Sequence, residues 1–309
     1  MSPRPLLIGT RGSPLALWQA RHVLAELIAA TGDGPDAVAL KVITTSGDRI
    51  TDRPLREFGG KGLFTKEIDE ALLRGDVAMA VHSMKDLPTD LPAGLCIAAV
   101  LPRADVRDAF ISNKAPSLAD LAPGATVGTS SLRRQAQVKR LHPDLRVIDF
   151  RGNVETRLRK LDEGRVDATL LALAGLERLG LTSHATSILS TEEMLPAVAQ
   201  GAIGVTCRSD DAKTRELLVA LNDERAATTV ACERAFLDRL DGSCKTPIAG
   251  LAEIEGGILR LRGLMLAPDG TESYGVEVTG AAEHATKLGA DAGEELVARA
   301  GQGFLAKLA

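Results

Sequence analysis

A short stretch of the chain places a hydroxyl, an ammonium and a carboxylate directly after an apolar segment. The segment covers residues 77–81, and the groups after it belong to Ser83, Lys85 and Asp86. The apolar run predicts a strand buried on both faces, as in the middle of a parallel sheet. Open α/β sheets bind ligands just beyond the carboxyl ends of such strands. We therefore interpret this stretch as part of a ligand site; the alternative is an ordinary polar exit from a strand.

Arginines stand where helices are predicted to begin, a place that usually favours acidic residues. The helix N-terminus carries about half a positive charge, so a cation there costs roughly 0.3–1 kcal/mol at an exposed site. Four arginines occupy such positions: Arg133, Arg134, Arg157 and Arg178. Guanidinium groups bind carboxylates and phosphates through paired hydrogen bonds. As a set they indicate an acidic ligand with several negative groups; for any one of them the alternative is a local ion pair with Asp or Glu.

Other predicted strand ends carry further groups suited to anions. They are Arg11, Ser13, Ser83, Lys85, Thr129, Ser131 and Arg151. Strands of a parallel sheet point the same way, so these groups are expected to converge on one mouth in each of two α/β domains. Asp86 does not suit an anionic ligand, and it suits instead a cation that develops on a reacting substrate. The alternative partner of Asp86 is Lys85 or a neighbouring arginine.

Cys244 lies in a tight turn beyond a predicted helix end, with a lysine beside it. This setting indicates an accessible and reactive thiol. The remaining cysteines lie within apolar patterns and are expected to be ordinary core residues: Cys96, Cys207 and Cys232.

A glycine-rich segment, residues 59–64, contains Lys61 and Phe64. It lacks the GxxxxGK[ST] spacing of a nucleotide-binding loop. We interpret it as a mobile loop that closes over a site; the alternative is a plain flexible connection.

The predicted elements alternate strand, loop and helix as far as residue 221, which is typical of parallel sheets with right-handed crossovers. Predicted strands cover residues 6–9, 37–45, 77–81, 95–100, 109–112, 126–128, 145–150, 168–173 and 202–207. Among the predicted helices are residues 14–30, 65–74, 211–221 and 225–240. Ser13, Ser131 and Asn153 are each predicted to cap the start of a helix, and Pro14 follows Ser13 at the first helical position. The chain then changes to alternating apolar and polar residues. This pattern predicts an antiparallel meander over residues 248–253, 258–266 and 273–279, followed by a helix over 282–300.

Composition narrows the class of protein. The 309 residues suffice for two or three domains, and 45% hydrophobic with 25% charged residues is typical of a globular protein. A net charge of −4 and only 3% aromatics argue against nucleic-acid or membrane-surface binding. The N-terminus MSPRPLLIG does not match a signal peptide, and no segment approaches the ~20 apolar residues of a membrane span. The cysteines and histidines do not show the spacing of metal ligands. We expect a cytoplasmic protein with reduced thiols and no metal.

Nine stretches, in order, resemble the porphobilinogen deaminase family: IGTRGSPLALWQ, GGKGLFTKEID, AVHSMKDLPT, RADVRDAF, GTSSLRRQAQ, DFRGNVETRLRKL, LALAGLERLG, AVAQGAIGV and DGSCKTPIAG. The resemblance implies an α/β protein with two lobes like the halves of a type II periplasmic binding protein, parallel-rich sheets and an active cleft between the lobes. It also implies a C-terminal α+β domain with an antiparallel sheet. The implied domains are residues 1–101 with 199–221, residues 102–198, and residues 222–309.

The resemblance also implies a transferase of tetrapyrrole biosynthesis. Members of the family condense four porphobilinogen molecules head to tail, with loss of ammonia each time, on a dipyrromethane held by a cysteine thioether. They then release linear hydroxymethylbilane by hydrolysis. A monomer is expected, with porphobilinogen as its small-molecule partner. The alternative is a non-catalytic two-lobed binding protein for a carboxylated ligand, which would not need Asp86 and Cys244 together.

Carried over residue by residue, the resemblance assigns roles to the groups described above. Asp86 matches the catalytic aspartate, and Cys244 matches the residue that holds the cofactor. The cofactor-binding positions are Ser83, Lys85, Thr129, Ser131, Arg133, Arg134 and Gly152. The substrate-binding positions are Arg11, Ser13, Arg151, Arg157, Arg178 and Gln200. Lys61 and Phe64 match the mobile loop, and the cysteine loop departs from the frequent Gly-Gly-Cys-Gln-x-Pro pattern at Ser243, Lys245 and Thr246.

Overall fold

A computed structural model of the chain describes residues 5–32, 34–49, 62–240 and 246–306. The chain forms two compact units. Unit 1 comprises Met1–Ala104 and Ala202–Ala227, and unit 2 comprises Asp105–Gly201 and Thr228–Ala309. The division into three domains stays a prediction.

The strands are, in chain order, β1 (Leu6–Thr10), β2 (Val38–Val42), β3 (Met79–Ser83), β4 (Leu95–Val100), β5 (Asp108–Ser112), β6 (Thr126–Gly128), β7 (Arg146–Ile148), β8 (Ala168–Ala172), β9 (Ser187–Ile188), β10 (Ile203–Arg208), β11 (Ile248–Glu255), β12 (Ile258–Leu266) and β13 (Ser273–Ala281). The helices are α1 (Pro14–Thr31), α2 (Ser46–Arg49), α3 (Lys66–Leu73), α4 (Leu132–Leu141), α5 (Val154–Asp162), α6 (Leu173–Leu179), α7 (Ala212–Val219), α8 (Glu224–Arg239) and α9 (Ala285–Leu305), the last kinked at Gly301.

Unit 1 contains a five-stranded sheet in the order β2-β1-β3-β10-β4. β1 runs parallel to β2 and β3, whereas β10 runs antiparallel to β3 and β4. One face packs against α1 and α7, and the other packs against α3. The predicted buried central strand is confirmed, although it is β3, two residues later than the predicted residues 77–81.

Unit 2 repeats this arrangement in a sheet of order β7-β6-β8-β5-β9. β6 is parallel to β7 and β8, and β5 is antiparallel to β8 and β9. Apolar side chains of α4 cover one face, and those of α5 and α6 cover the other. Helices on both faces explain why the strands of both sheets are nearly continuous apolar runs.

The C-terminal part of unit 2 is an antiparallel sheet, β11-β12-β13, with α8 and α9. β12 and β13 pair over nine positions, as the alternating pattern predicts. Gly289 lets α9 approach α8 closely, because a Cβ there would collide with the backbone carbonyl of Cys232.

The predicted fold class is confirmed. Two α/β sheets have corresponding strand orders, and an α+β region with an antiparallel sheet follows them. The sheets are mixed and not wholly parallel, because β10 runs antiparallel to β3 and β4, and β5 runs antiparallel to β8 and β9. In the described part of the chain, no helix has the length and apolar character needed to cross a membrane.

Candidate active site

In unit 1, the ends of β1 and β3 bring together five of the predicted site residues. The two strands are parallel neighbours, so their carboxyl ends lie at the same edge of the sheet. Arg11 and Ser13 follow β1, and Ser83, Lys85 and Asp86 end or follow β3. Gln19 of α1 joins the two groups, because its Nε2 donates to Ser83 Oγ at 2.9 Å.

Ser13 begins α1 as predicted. Its Oγ accepts a hydrogen bond from the backbone N–H of Ala16 at 3.3 Å, and Pro14 occupies the first helical position. This is the preferred start of a helix, because the hydroxyl satisfies an N–H that has no partner within the helix. A local sequence signal therefore fixes the hydroxyl of Ser13 at the edge of the sheet.

Asp86 lies in a short 3-10 turn, Met84–Asp86, directly after β3. The buried side chain of Met84 and a 3.0 Å hydrogen bond from its backbone N–H to the carbonyl of Ala202 anchor the turn. Asp86 and Lys85 are half-buried. Within the described ranges, no hydrogen bond or ion pair engages the Asp86 carboxylate. The predicted alternative, a structural pairing of Asp86 with Lys85 or a nearby arginine, is not observed among these residues.

His82 precedes this turn and is buried within β3. Its Nε2 lies 2.9 Å from Thr206 Oγ1 on the neighbouring strand β10. Burial, together with the positive charge of Arg11, lowers the pKa of His82 to about 4. The imidazole is therefore neutral near pH 7, and it ties β3 to β10 without adding charge to the site.

Arg11 is held from two sides. Its Nε donates to Asp48 Oδ1 at 3.1 Å, and its guanidinium lies 4.2 Å from the centre of the Phe64 ring. Burial raises the pKa of Asp48, but hydrogen bonds from Arg11 and Thr45 outweigh burial and lower the pKa overall. Phe64 thus contacts a predicted site residue. Lys61 lies outside the described residues, so the mobile loop stays a prediction.

In unit 2, the ends of β6 and β7 carry a second group of predicted residues. Thr129 is buried, and its Oγ1 accepts from the backbone N–H of Ser131 at 3.2 Å. Ser131 caps α4 as predicted, with its Oγ 3.4 Å from the N–H of Arg134. Because β6 and β7 are parallel neighbours, these groups and those after β7 lie at one edge.

The loop after β7 contains Arg151, Gly152 and the cap of α5, Asn153. Asn153 Oδ1 accepts from the N–H of Thr156 at 2.8 Å, which confirms the predicted cap. Gly152 has φ 128°, and a Cβ there would collide with Thr156, so only glycine fits this turn without strain. Arg157 reaches back over the turn, and its Nε donates to the carbonyl of Gly152 at 2.9 Å.

Arg133 and Arg134 are buried, and both form ion pairs with the carboxylate of Asp108. Arg133 Nη2 donates to Asp108 Oδ2 at 2.8 Å, and Arg134 Nη2 donates to Asp108 Oδ1 at 2.8 Å. Burial raises the pKa of Asp108, but the two arginines outweigh burial and hold that pKa well below its usual range. The position of Arg133 and Arg134 at the start of α4 is therefore explained in part by their internal ion pairs with Asp108, and not by a bound anionic ligand alone.

Asp108 is the residue that the sequence analysis missed. The apolar pattern predicts a strand over residues 109–112 and leaves Asp108 outside it, whereas Asp108 is the first residue of β5 and fully buried. The available signal was its position directly before an apolar run, where an acidic residue needs a buried partner. Gln200 is buried beside it, and its Nε2 donates to Asp108 Oδ1 at 2.8 Å and to the carbonyl of Val106 at 2.7 Å.

Arg178 corrects one helix assignment. It was predicted to open a helix, but α6 begins at Leu173, so Arg178 lies in the last turn. A cation is favourable there, and the argument from an unfavourable helix start does not apply to it. Its Nη2 donates to the carbonyl of Gly201 at 2.7 Å, and burial lowers its pKa to about 10.

Cys244 lies outside the described residues, as do Ser243 and Lys245. Cys207 and Cys232 are buried, and burial raises the pKa of each thiol to about 12, as suits unreactive core residues. Cys96 is half-buried, with its Sγ 3.9 Å from that of Cys207. The described residues contain no cluster of three His, Cys, Asp or Glu side chains that could hold a metal ion.

Comparison with known families covers almost the whole chain. Residues 6–216 match the family model "Porphobilinogen deaminase, dipyromethane cofactor binding domain", and residues 227–298 match "Porphobilinogen deaminase, C-terminal domain". The chain belongs to the porphobilinogen deaminase family. Members of this family are transferases, so family membership favours the predicted enzyme over the non-catalytic binding protein.

Similar porphobilinogen deaminases come from bacteria and plants. The protein from Paracoccus denitrificans is 55% identical, over 97% of this chain and 96% of the relative. That from Nitrobacter winogradskyi is 57% identical, over 96% of this chain and 94% of the relative. The chloroplastic porphobilinogen deaminase of Pisum sativum is 56% identical, over 96% of this chain and 82% of the relative.

Solved structures with a related chain path are more distant. They include the methionine-binding protein MetQ, with TM-score 0.45, 13% identity, and coverage of 75% of this chain and 96% of that chain. Immunogenic lipoprotein A from Vibrio vulnificus has TM-score 0.44 and 13% identity, and the match covers 72% of this chain and 97% of that chain.

Proposed function

We propose that the chain is a hydroxymethylbilane synthase. It condenses four porphobilinogen molecules head to tail, with loss of ammonia at each step, on a dipyrromethane attached to Cys244, and it then releases hydroxymethylbilane by hydrolysis. The observation that carries this proposal is the match of both family models, in order, over residues 6–216 and 227–298.

The residues of unit 2 fit a cofactor that bears carboxylates. Arg133 and Arg134 bring two buried positive charges against the single buried carboxylate of Asp108. The Nε of Arg133 is buried and, within the described ranges, has no hydrogen-bond partner. A buried donor without a partner is unfavourable, and a bound carboxylate would relieve that cost. When bound, the dipyrromethane supplies a pyrrole carbon to which the first substrate unit is added.

Asp86 is assigned the catalytic role. Its carboxylate lies at the end of β3 and makes no ion pair with the described residues. A carboxylate in this position can accept hydrogen bonds from pyrrole N–H groups and stabilise the cation formed as ammonia leaves. Lys85 and Ser83 flank it and are assigned to cofactor carboxylates.

The remaining basic and polar residues are assigned to the acetate and propionate groups of the substrate: Arg11, Ser13, Arg151, Arg157, Arg178 and Gln200. Arginine suits this role because its planar fork matches a carboxylate. Arg11 and Arg178 are already oriented, by Asp48 and by the carbonyl of Gly201 respectively. Side chains held in this way lose less freedom when a ligand binds.

We further propose a monomer in the cytoplasm that takes porphobilinogen as its small-molecule partner and binds no nucleic acid. The net charge of −4 argues against nucleic-acid binding, and the reduced thiols of the described cysteines suit the cytoplasm. Light scattering of the purified chain that gives a dimer mass would contradict the monomer.

The cofactor is tested by intact-mass analysis of the full chain made in a host that supplies porphobilinogen. We expect the mass of one dipyrromethane above that of the bare chain, and colour with an acidic pyrrole reagent. Cys244→Ser should carry no thioether adduct, whereas Cys232→Ser should carry it, because burial leaves that thiol unreactive. A bare wild-type chain would refute the proposal.

The catalytic assignment is tested with Asp86→Asn, compared with Asp90→Asn four residues later on the exposed part of the same loop. Asp86→Asn should retain the fold and the adduct but lower turnover by roughly 10²–10³-fold, the typical cost of losing one preorganised electrostatic group. Asp90→Asn should keep turnover within about twofold of the wild type. Turnover of Asp86→Asn near that of the wild type would exclude the role.

A further inference from the structure

Asp108 joins three of the residues assigned to the proposed site. Its Oδ2 accepts from Arg133 Nη2 at 2.8 Å and from Arg134 Nε at 3.1 Å. Its Oδ1 accepts from Arg134 Nη2 and from Gln200 Nε2, both at 2.8 Å. Four N–H groups from three side chains therefore meet at one fully buried carboxylate.

Backbone carbonyls also accept hydrogen bonds from both guanidinium groups. Arg133 Nη1 donates to the carbonyl of Leu195 at 2.7 Å, and Arg134 Nη1 donates to the carbonyl of Leu170 on β8 at 3.0 Å. Each arginine is thus fixed both by Asp108 and by a backbone carbonyl. The Nε of Arg133 is the exception, since it is buried without a hydrogen-bond partner among the described residues.

The charges in this cluster do not balance. Arg133 and Arg134 contribute two positive charges, and Asp108 contributes one negative charge. An excess charge in the interior is unfavourable unless a further anion compensates it. Asp108 therefore fixes both guanidinium groups while leaving one positive charge uncompensated and the buried Nε of Arg133 without a hydrogen-bond partner among the described residues.

The same cluster extends to the helix that leads to the cysteine loop. Gln200 follows Ala199, a non-glycine residue held at φ 58°. The buried carboxylate of Glu233 on α8 accepts from the N–H of Ala199 at 2.6 Å and from the N–H of Ala252 at 2.7 Å. Because α8 ends shortly before Cys244, this chain of contacts links the arginines to the element that precedes the attachment residue.

We infer that Asp108 is a positioning residue for cofactor assembly: it orients Arg133, Arg134 and Gln200 so that the uncompensated positive charge receives a cofactor carboxylate. This inference rests on the proposed function. Asp108 acts through the arginines and does not touch the cofactor, so its effect should depend on their presence.

The experiment measures the rate at which the full chain gains the dipyrromethane mass. Apoprotein from a host that lacks porphobilinogen is supplied with porphobilinogen, and the adduct is followed by intact mass at a temperature where circular dichroism shows each variant folded. Asp108→Asn removes the charge, and Asp108→Glu keeps the charge but displaces it by one methylene. Both should load about tenfold more slowly than the wild type. Asp120→Asn, an exposed carboxylate of the same unit, should load at the wild-type rate.

A second measurement separates positioning from a general effect on stability. In an Arg133→Met/Arg134→Met background, adding Asp108→Asn should slow loading by less than about twofold, because the residues through which it acts are gone. A tenfold effect in that background as well would overturn the inference. The inference would also be overturned if folded Asp108→Glu gained the adduct at the wild-type rate. This comparison remains decisive if Asp108→Asn does not fold. Failure of the wild-type chain itself to gain an adduct would refute the proposed function.

Discussion

His82 makes the stability of unit 1 depend on pH in a predictable direction. Burial and the charge of Arg11 lower its pKa from 6.5 to about 4 in the folded chain. The folded chain therefore binds the proton more weakly than the unfolded chain, so protonation favours unfolding. The stabilisation is fully present above about pH 6.5 and is lost as the pH falls toward about 4.

The size of this effect follows from the difference between the two pKa values. One pKa unit corresponds to about 1.36 kcal/mol, so a difference of about 2.5 units gives about 3 kcal/mol in total. Integrating the proton binding of the two states assigns about 2 kcal/mol of this loss to the interval between about pH 7.5 and about pH 5.

The assay is the free energy of unfolding by urea across this pH interval, for the wild type and for His82→Gln. Glutamine does not titrate and can keep a hydrogen bond to Thr206, so the variant should lose about 2 kcal/mol less than the wild type between the two pH values. His184→Gln, at an exposed histidine, should follow the wild type. Parallel curves for the wild type and His82→Gln would refute the argument that His82 is buried in its neutral form.

Three further changes test packing, burial and capping by the urea-unfolding free energy. Gly289→Ala should cost about 3 kcal/mol, because its Cβ would meet the carbonyl of Cys232, whereas Gly303→Ala, with open space around it, should change stability by less than about 1 kcal/mol. Burial raises the pKa of Asp69 to about 6, so Asp69→Asn should stabilise the protein at pH 7 by about 1 kcal/mol after solvent screening, and this gain should vanish below about pH 4. Asn153→Ala should cost about 1 kcal/mol through loss of the cap; an unchanged stability would contradict the capping bond.

Local features of the fold were predictable from the sequence because local signals encode them. Ser13, Ser131 and Asn153 cap their helices as predicted, since a short side chain before an apolar stripe satisfies N–H groups only a few residues away. The antiparallel meander followed from period-two alternation, and the buried strand β3 followed from its apolar run.

Strand direction was not predictable in the same way. Residues 109–112 and 202–207 carry the apolar pattern of a buried strand whichever way they run, because a strand buried on both faces shows the same pattern in either direction. Only the connections decide that β5 and β10 run antiparallel to β8 and β3. The sequence likewise did not show that Arg178 lies at the end of α6 and not at its start, because no capping side chain marks the boundary between β8 and α6.

The sequence by itself determined the types of chemical group and the family to which the chain belongs, because motifs such as AVHSMKDLPT and GTSSLRRQAQ are contiguous. Only the tertiary structure decided which charges meet. Arg133 and Arg134 indicated an anion, but their partner Asp108 lies on β5, outside the strand and helix of their own motif. Such a pairing depends on how β5 and α4 pack in unit 2, and no spacing within a motif encodes a contact between separate elements of the fold.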